Sequence, residues 1–344
     1  MPFRDIVGHR KLVALLARSV ARQTLPPSLI FAGPSGVGKQ LAALATAQAL
    51  NCLAPLTVAD AESGDPMVDA CGTCAACTRI ARGVHPDVLV IRPNEKGNIK
   101  IEPIRDAIDR AGYRPFEGRR RVTIIDSADG LETSAQNALL KILEEPPASS
   151  VFVLVTSLPD TLLQTVRSRC PQLRFRGLEM HDVVTALQRL KRGLEEQQAY
   201  RAASTAEGSV GVALAATDAD DEDHDVRDVA YRVLLQAAMS DDGRKRMESA
   251  KELVPKASGS LSERDLLALH LRAMSALLRD VELMTSGAGT GALANRDLAG
   301  ALERLSPFGG DRGRQAFQAV DRALASIERY ANAKIVADWL VLQL

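Results

Sequence analysis

The chain has 344 residues, of which 46% are hydrophobic and only 3% aromatic, so its cores must consist mainly of leucine, valine, isoleucine and alanine. Its 43 lysines and arginines balance 43 aspartates and glutamates, which excludes a whole-chain field that attracts nucleic acid. The sequence shows no apolar run of membrane-spanning length and no signal peptide, so we expect a cytoplasmic protein without a membrane partner.

The first predicted elements surround a glycine-rich loop. Helical spacing of leucines and valines predicts a helix over residues 11–21, and an apolar run at residues 29–32 predicts a buried strand. An alanine-rich helix follows from residue 41. A loop of pattern G-x-x-x-x-G-K between a strand and a helix surrounds phosphate oxygens with backbone N–H groups, and its lysine adds a positive charge. The predicted nucleotide-binding residues of this loop are Gly33, Pro34, Ser35, Gly36, Val37, Gly38, Lys39 and Gln40.

Four cysteines predict a structural metal site in the next segment, whose composition otherwise indicates irregular structure. Cys71, Cys74 and Cys77 are each separated by two residues, and Cys52 lies upstream. Four thiolates are a common ligand set for a closed, tetrahedral Zn(II) site. His85 is a less favoured alternative to Cys52 as the fourth ligand. Because no position is left for water, we expect the metal to be structural.

Alternating strands and helices are predicted for the rest of the first half. Short apolar runs predict strands at residues 87–91, 122–125, 150–156 and 172–175, and helical patterns predict helices at residues 101–112, 131–145 and 162–169. Strands that are apolar on both faces indicate a mostly parallel sheet covered by helices. Ligands bind such sheets at the carboxyl ends of the strands, where we expect the glycine-rich loop, Asp126 and Thr156 to converge.

The strand pattern disappears after residue 177. A small helical unit is predicted, which ends in a glycine-rich stretch at residues 208–214. An acidic run at residues 218–225 is typical of a solvated linker or a helix start. The pattern from residue 226 to residue 344 is helical, with a flexible turn at residues 287–291.

The nucleotide site lacks parts that a working P-loop ATPase needs. Such an enzyme requires a hydroxyl group on magnesium, a carboxylate that holds the metal, and a base that orients water. Gln40 occupies the position of the hydroxyl residue, Asp126 fits the metal-holding carboxylate, and Ser127 occupies the position of the acidic base. We place Asp129 beyond the reach of a base. The sequence therefore predicts weak or absent ATP binding and no efficient hydrolysis.

These motifs, in their order along the chain, resemble those of a known family. The set consists of residues 31–39, the Cys71/Cys74/Cys77 cluster, residues 124–129, residues 137–147 and Ser168-Arg169-Cys170. It resembles the bacterial clamp-loader AAA+ proteins of DNA polymerase III, most closely their delta-prime branch. The match covers residues 1–214 strongly and the C-terminal helices only weakly.

The resemblance implies an α/β P-loop AAA+ domain followed by two helical domains. The AAA+ domain, a parallel sheet with helices on both faces, would span residues 1–176 and carry an inserted zinc-binding segment at about residues 52–77. A small helical lid would span residues 177–217. An all-helical collar that assembles a hetero-oligomer would span residues 225–344.

The resemblance also implies a role for individual residues. Arg169, in its Ser-Arg-Cys setting, matches an arginine finger that acts on the ATP of a neighbouring subunit, and Thr156 matches a polar sensor. Gly211 stands where the lid of the motor subunits carries an arginine. The implied function is a mostly non-hydrolysing stator that helps load the sliding clamp on primed DNA. Its partners would be gamma/tau and delta subunits, with the clamp and primer-template DNA reached through the complex.

Two other functions compete with this interpretation. One is an ATP-hydrolysing motor of the gamma/tau type, against which Gln40 and Ser127 argue. The other is a zinc-stabilised DNA-binding module with a vestigial P-loop. That module would bind DNA with a steep salt dependence, which the balanced charge of the chain disfavours.

Overall fold

The computed structural model of the chain describes residues 1–60, 64–94, 97–221, 226–240, 242–255, 262–287, 293–329 and 331–344. Contacts divide the chain into two compact units, Met1–Asp182 and Val183–Leu344. The acidic run predicted at residues 218–225 and the turn predicted at residues 287–291 fall partly outside the described residues, as does the predicted collar boundary at residue 225. The finer division into domain, lid and collar stays a prediction.

The first unit contains a five-stranded parallel sheet and a separate two-stranded hairpin. The strands are β1 (Ser28–Ala32), β2 (Leu56–Ala59), β3 (Pro66–Asp69), β4 (Val88–Ile91), β5 (Arg121–Ile125), β6 (Ser150–Thr156) and β7 (Gln172–Arg174). The parallel sheet has the order β4-β5-β6-β1-β7, and β2 pairs with β3 in antiparallel fashion. The helices are α1 (Arg10–Ala21), α2 (Lys39–Asn51), α3 (Ala75–Ala81), α4 (Ile101–Ala111), α5 (Thr133–Glu144) and α6 (Gln164–Arg167).

The central strands are buried on both faces. All five residues of β1 and all seven residues of β6 are buried. Along β1, Leu29 and Phe31 join one hydrophobic cluster and Ile30 and Ala32 join another, as expected when successive side chains point to opposite faces. This confirms the predicted parallel sheet with helices on both faces, because a strand buried on both faces has no polar alternation.

The sheet order brings the candidate nucleotide residues to one edge. Strands β5, β6 and β1 are neighbours, and they are parallel, so their carboxyl ends lie side by side. Asp126 follows β5, Thr156 ends β6, and Gly33 follows β1. The predicted convergence at the carboxyl edge is therefore present in the fold.

The hairpin formed by β2 and β3 lies where the sequence predicted irregular structure. All four residues of β2 are exposed, Leu56 and Val58 among them, so its apolar residues do not mark a face that packs on a core. The carboxylate of Asp69, at the end of β3, accepts the backbone N–H of Phe3 at 2.7 Å and pairs with the Arg4 guanidinium at 2.9 Å. The hairpin is thereby joined to the start of the chain.

The second unit is helical in all of its described parts. Its helices, with the one that leads into it, are α7 (Met180–Leu190), α8 (Glu196–Ser204), α9 (Val210–Asp221), α10 (Val226–Met239), α11 (Gly243–Leu253), α12 (Glu263–Thr285), α13 (Ala299–Leu302), α14 (Asp311–Glu328) and α15 (Ala333–Gln343). The longest, α12, begins with a capping box in which Ser262 and Asp265 each accept the other's backbone N–H. None of the described helices has an apolar stretch long enough to cross a membrane.

Candidate nucleotide and metal sites

The glycine-rich loop between β1 and α2 adopts a conformation that requires glycine. Gly33, Gly36 and Gly38 have φ angles of 152°, 74° and 99°, all in the region that favours glycine. A Cβ on Gly33 would lie only 2.0 Å from the backbone oxygen of Phe175. Val37 is buried to 1% exposure in the core beneath the loop. The loop is thus held in its turn by the residues beneath it.

Lys39 lies inside the loop and is only 6% exposed. Its Nζ donates hydrogen bonds to the carbonyl oxygens of Gly33 at 2.6 Å and Pro34 at 2.5 Å. Burial lowers the pKa of Lys39 to about 8, although the nearby carboxylates of Asp129 and Asp126 act in the opposite direction. The ammonium is therefore placed where a phosphate oxygen could replace the two carbonyl acceptors.

Two carboxylates and a hydroxyl lie beside Lys39 at the carboxyl edge of the sheet. Burial raises the pKa of Asp126, and the Arg92 guanidinium, 3.8 Å away, opposes that rise. Thr156 is fully buried, and its Oγ1 donates to Asp129 Oδ1 at 2.8 Å. Asp129 is therefore part of the site, bound to the predicted sensor. The sequence-based prediction placed Asp129 beyond the reach of a base. The sequence feature that could have indicated its place in the site is its position three residues after Asp126.

His9 is a second residue of the site that sequence reasoning missed. Its Nε2 lies 2.9 Å from the carbonyl oxygen of Val37 in the loop, and its ring packs edge-on against Phe175 with centroids 4.9 Å apart. Burial lowers the pKa of His9, while the hydrogen bond to Val37 raises it. Both Gly8 and His9 have positive φ angles. The signal was the Gly-His pair directly before a helix.

The two positions that weaken the ATPase interpretation lie within this site. Gln40 is the second residue of α2, directly after Lys39, and its side chain offers an amide where magnesium would need a hydroxyl. Ser127 follows Asp126 with a φ of 52°, which starts the short turn that carries Asp129. The site therefore has a cradle, a cation and carboxylates, but it lacks the usual metal-binding hydroxyl.

Arg169 lies at the opposite side of the sheet, near the amino ends of the strands. It precedes β7 by three residues, and β7 runs parallel to β1 with Gln172 beside Ile30. The loop follows the carboxyl end of β1, whereas Arg169 lies near its amino end. The five residues of β1, or roughly 16 Å, separate these two ends. The guanidinium donates to the Thr165 carbonyl oxygen at 2.9 Å and to Glu144 Oε2 at 3.2 Å. Arg169 therefore cannot serve the phosphate loop of its own chain.

The four predicted cysteine ligands come together in the fold. The Sγ atoms of Cys52, Cys71, Cys74 and Cys77 all lie within 4.8 Å of one another. A tetrahedron with Zn–S bonds of about 2.3 Å has S–S edges of about 3.8 Å, so the cluster needs little contraction to hold zinc. Backbone N–H groups of Cys71 and Cys74 point to the sulfurs of Cys52 at 3.2 Å and Cys71 at 3.3 Å. Such donors stabilise thiolates, so the residues fit the metal.

His85 is engaged elsewhere. Its Nδ1 accepts the backbone N–H of Asp87 at 3.1 Å, and its Nε2 lies 3.4 Å from Glu117. Burial lowers the pKa of His85, and the carboxylates of Glu117 and Asp87 oppose that effect. The geometry favours Cys52 over His85 as the fourth ligand.

Curated relatives of the chain are subunits of DNA polymerase III. It is 33% identical to subunit tau of Escherichia coli over 63% of this chain and 32% of that protein. It is 34% identical to subunit delta′ of Pseudomonas aeruginosa over 48% of this chain and 47% of that protein. The chain thus spans between about a third and a half of the length of these relatives.

Solved structures show a more distant likeness. A DNA polymerase III gamma subunit-related protein from Thermotoga maritima aligns over 94% of this chain and 95% of its own, with a TM-score of 0.45 and 18% identity. The clamp loader delta protein of Bacillus subtilis aligns over 95% and 98%, with a TM-score of 0.35 and 13% identity. Neither value decides a function.

A family match covers the sheet, the loop and Arg169. Residues 8–179, half of the chain, match the family described as "DNA polymerase III, delta subunit". This confirms the resemblance that the motifs carried, and the chain belongs to the DNA polymerase III delta-subunit family.

Proposed function

We propose that this chain is a delta-prime-like subunit of a DNA polymerase III clamp loader, a mostly non-hydrolysing AAA+ stator. The observation that carries the proposal is the position of Arg169. This residue lies near the amino ends of the strands, whereas the phosphate loop of the same chain lies at their carboxyl ends. In that position the guanidinium is placed away from its own loop, and we assign it to the nucleotide site of a neighbouring chain. It would stabilise the charge that develops on the transferred phosphoryl group.

The chemistry of the loop supports the absence of hydrolysis. Gln40 and Ser127 replace the hydroxyl and the acidic base, and Gly211, in the first turn of α9, carries no side chain to contact a phosphate. The cradle at residues 33–39, together with Asp126 and Thr156, would still form the nucleotide pocket if ATP binds. In this proposal bound ATP has a structural role, and its binding is weak or absent.

The cysteine cluster has a structural role in the proposal. Zn(II) held by Cys52, Cys71, Cys74 and Cys77 would join the end of α2 to the start of α3 and close the inserted segment between them. A closed set of four protein ligands leaves no position for a reacting water. The zinc would therefore stabilise the first unit without taking part in phosphate chemistry.

The partners follow from the same assignment. The chain would assemble with gamma/tau and delta subunits, and it would reach the sliding clamp and primer-template DNA through the complex. The helical collar predicted at residues 225–344 would provide the assembly contacts. A cytoplasmic location stays a prediction.

The test is ATP hydrolysis by a clamp loader reconstituted with gamma/tau and delta subunits. Arg169→Ala should remove the share of hydrolysis contributed by the one site that Arg169 serves, while assembly on size exclusion stays unchanged. Arg167→Ala is the matched control, because Arg167 lies two residues away and pairs with the exposed Asp160. Hydrolysis that is the same with Arg169→Ala as with the unaltered chain would refute the finger.

A gamma/tau-type motor is the second candidate, since tau proteins match the chain at 31–33% identity. The purified chain alone decides between the two. Hydrolysis that is stimulated by magnesium and lost in Lys39→Ala would establish the motor. Absence of hydrolysis by the isolated chain, together with the Arg169→Ala effect in the complex, supports the stator.

A further inference from the structure

The guanidinium of Arg169 is held by its own chain before any partner approaches. One terminal nitrogen donates to the carbonyl oxygen of Thr165, one turn earlier, and the other donates to Glu144 Oε2. Its Nε is buried and meets no hydrogen-bond partner within the described part of the chain. The side chain is 32% exposed, so part of it still reaches solvent.

These contacts orient the guanidinium and leave some of its N–H donors available. A guanidinium carries five N–H donors, two on each terminal nitrogen and one on Nε. The two bonds to Thr165 and Glu144 leave one N–H on each terminal nitrogen. These remaining donors are the kind of group with which arginine binds phosphate oxygens.

Glu144 occupies a position that helix electrostatics disfavour. It is the last residue of α5, where the negative end of the helix dipole opposes a carboxylate. Its side chain is 60% exposed, so burial does not hold it there. The partner that compensates for this position is Arg169. A residue that breaks a local rule in favour of one specific contact points to a role for that contact.

We infer that Glu144 is a positioning residue for Arg169, and that it orients the remaining N–H donors of the guanidinium towards the terminal phosphate of a nucleotide bound by the neighbouring subunit. The inference rests on the proposed function, because it concerns how the finger is held. Without Glu144, the arginine keeps its charge but loses one of the two bonds that fix its orientation. The side chain must then lose its conformational freedom when the transition state forms, which raises the barrier.

The experiment compares hydrolysis by complexes reconstituted with variant chains. The rate that belongs to Arg169 is the difference between the complex with the unaltered chain and the complex with Arg169→Ala. Glu144→Ala should lower that difference about two- to fivefold, the range that corresponds to an exposed ion pair. The effect should fall on kcat and leave KM for ATP unchanged. The Arg169-dependent rate of Glu144→Gln should lie between that of the unaltered chain and that of Glu144→Ala.

The matched control is Glu145→Ala, which removes an exposed carboxylate from the next residue. It should leave the difference unchanged. In an Arg169→Ala background, Glu144→Ala should have no further effect, because the two residues act as one unit.

Three outcomes separate the possibilities. An unchanged Arg169-dependent rate in Glu144→Ala, or an equal loss in the Arg169→Ala background, overturns the positioning role while the finger stands. A rise in rate also overturns it, because Glu144 would then hold Arg169 away from the phosphate. If Arg169→Ala itself changes nothing, the proposed function fails, and the inference fails with it.

Discussion

Lys39 offers a direct test of the site because its ammonium is buried against backbone carbonyls. Its pKa of about 8 lies well below the ordinary value of 10.5. Between these two values the unfolded chain binds a proton that the folded chain does not, so the free energy of unfolding rises with pH. Below pH 8 both states carry the proton, and the full cost of burying the charge is present.

The magnitude follows from the two pKa values. Linkage between 8 and 10.5 predicts that Lys39 adds about 2.5 kcal/mol to the free energy of unfolding when the pH rises from about 7 to about 10. Lys39→Met removes this contribution and keeps the length of the side chain. The difference in unfolding free energy between the natural chain and Lys39→Met should therefore grow by that amount across the same pH range.

The assay combines urea unfolding at several pH values with an NMR titration of lysine side chains labelled at Cε. Subtracting Lys39→Met from the natural chain cancels the other groups that titrate in this range, and Lys141→Met is the control at an exposed lysine of α5. The resonance that disappears in Lys39→Met should titrate near pH 8. A midpoint near 10.5, with a flat stability difference, would refute the reasoning.

The remaining predictions concern the packing and the metal. Asp87→Asn should lower the free energy of unfolding by about 2 kcal/mol, because the buried carboxylate accepts three backbone N–H groups of the loop before β5. Burial acts to raise the pKa of Asp87, but these donors lower it overall, so its contribution should be lost as the pH falls through that lowered value in acid unfolding. Gly33→Ala should destabilise more than Gly83→Ala in urea unfolding, because both positions have positive φ but only at Gly33 would a Cβ meet a backbone oxygen at 2.0 Å; equal losses would show that the close approach does not matter. Cys74→Ser should lose one zinc per chain by elemental analysis, whereas Cys170→Ala, outside the cluster, should keep it.

The elements of the parallel sheet were predictable because burial on both faces leaves a clear pattern. Strand β6 consists of an apolar run at residues 151–155 between Ser150 and Thr156, all of it buried, and its predicted bounds agree with the structure. The cysteine cluster was predictable because three of its four ligands, Cys71, Cys74 and Cys77, are each separated by only two residues. The hairpin was missed for the opposite reason, since β2 is exposed along its whole length and its position depends on contacts with the start of the chain.

Individual side-chain contacts outside the recognised motifs could not be predicted when the two residues are distant in sequence. His9 meets the loop through Val37, and Glu144 meets Arg169, across 28 and 25 residues respectively. Each pair is formed by the order of the strands, which places separate chain segments side by side. Periodicity predicts individual helices and strands, but it does not indicate which side chains meet at the edge of the completed sheet.

The loop at residues 33–39 is part of the packing of the first unit, whether or not it holds a phosphate. Gly33 packs against the backbone of Phe175, Val37 is buried in the core, and His9 is bonded to the loop. Lys39 also has acceptors within the loop itself. Larger side chains at Gly33 or polar ones at Val37 would therefore disturb the sheet that carries Arg169. Packing therefore accounts for Gly33 and Val37 whether or not a phosphate is bound, but it does not account for Lys39, whose buried charge opposes folding near pH 7.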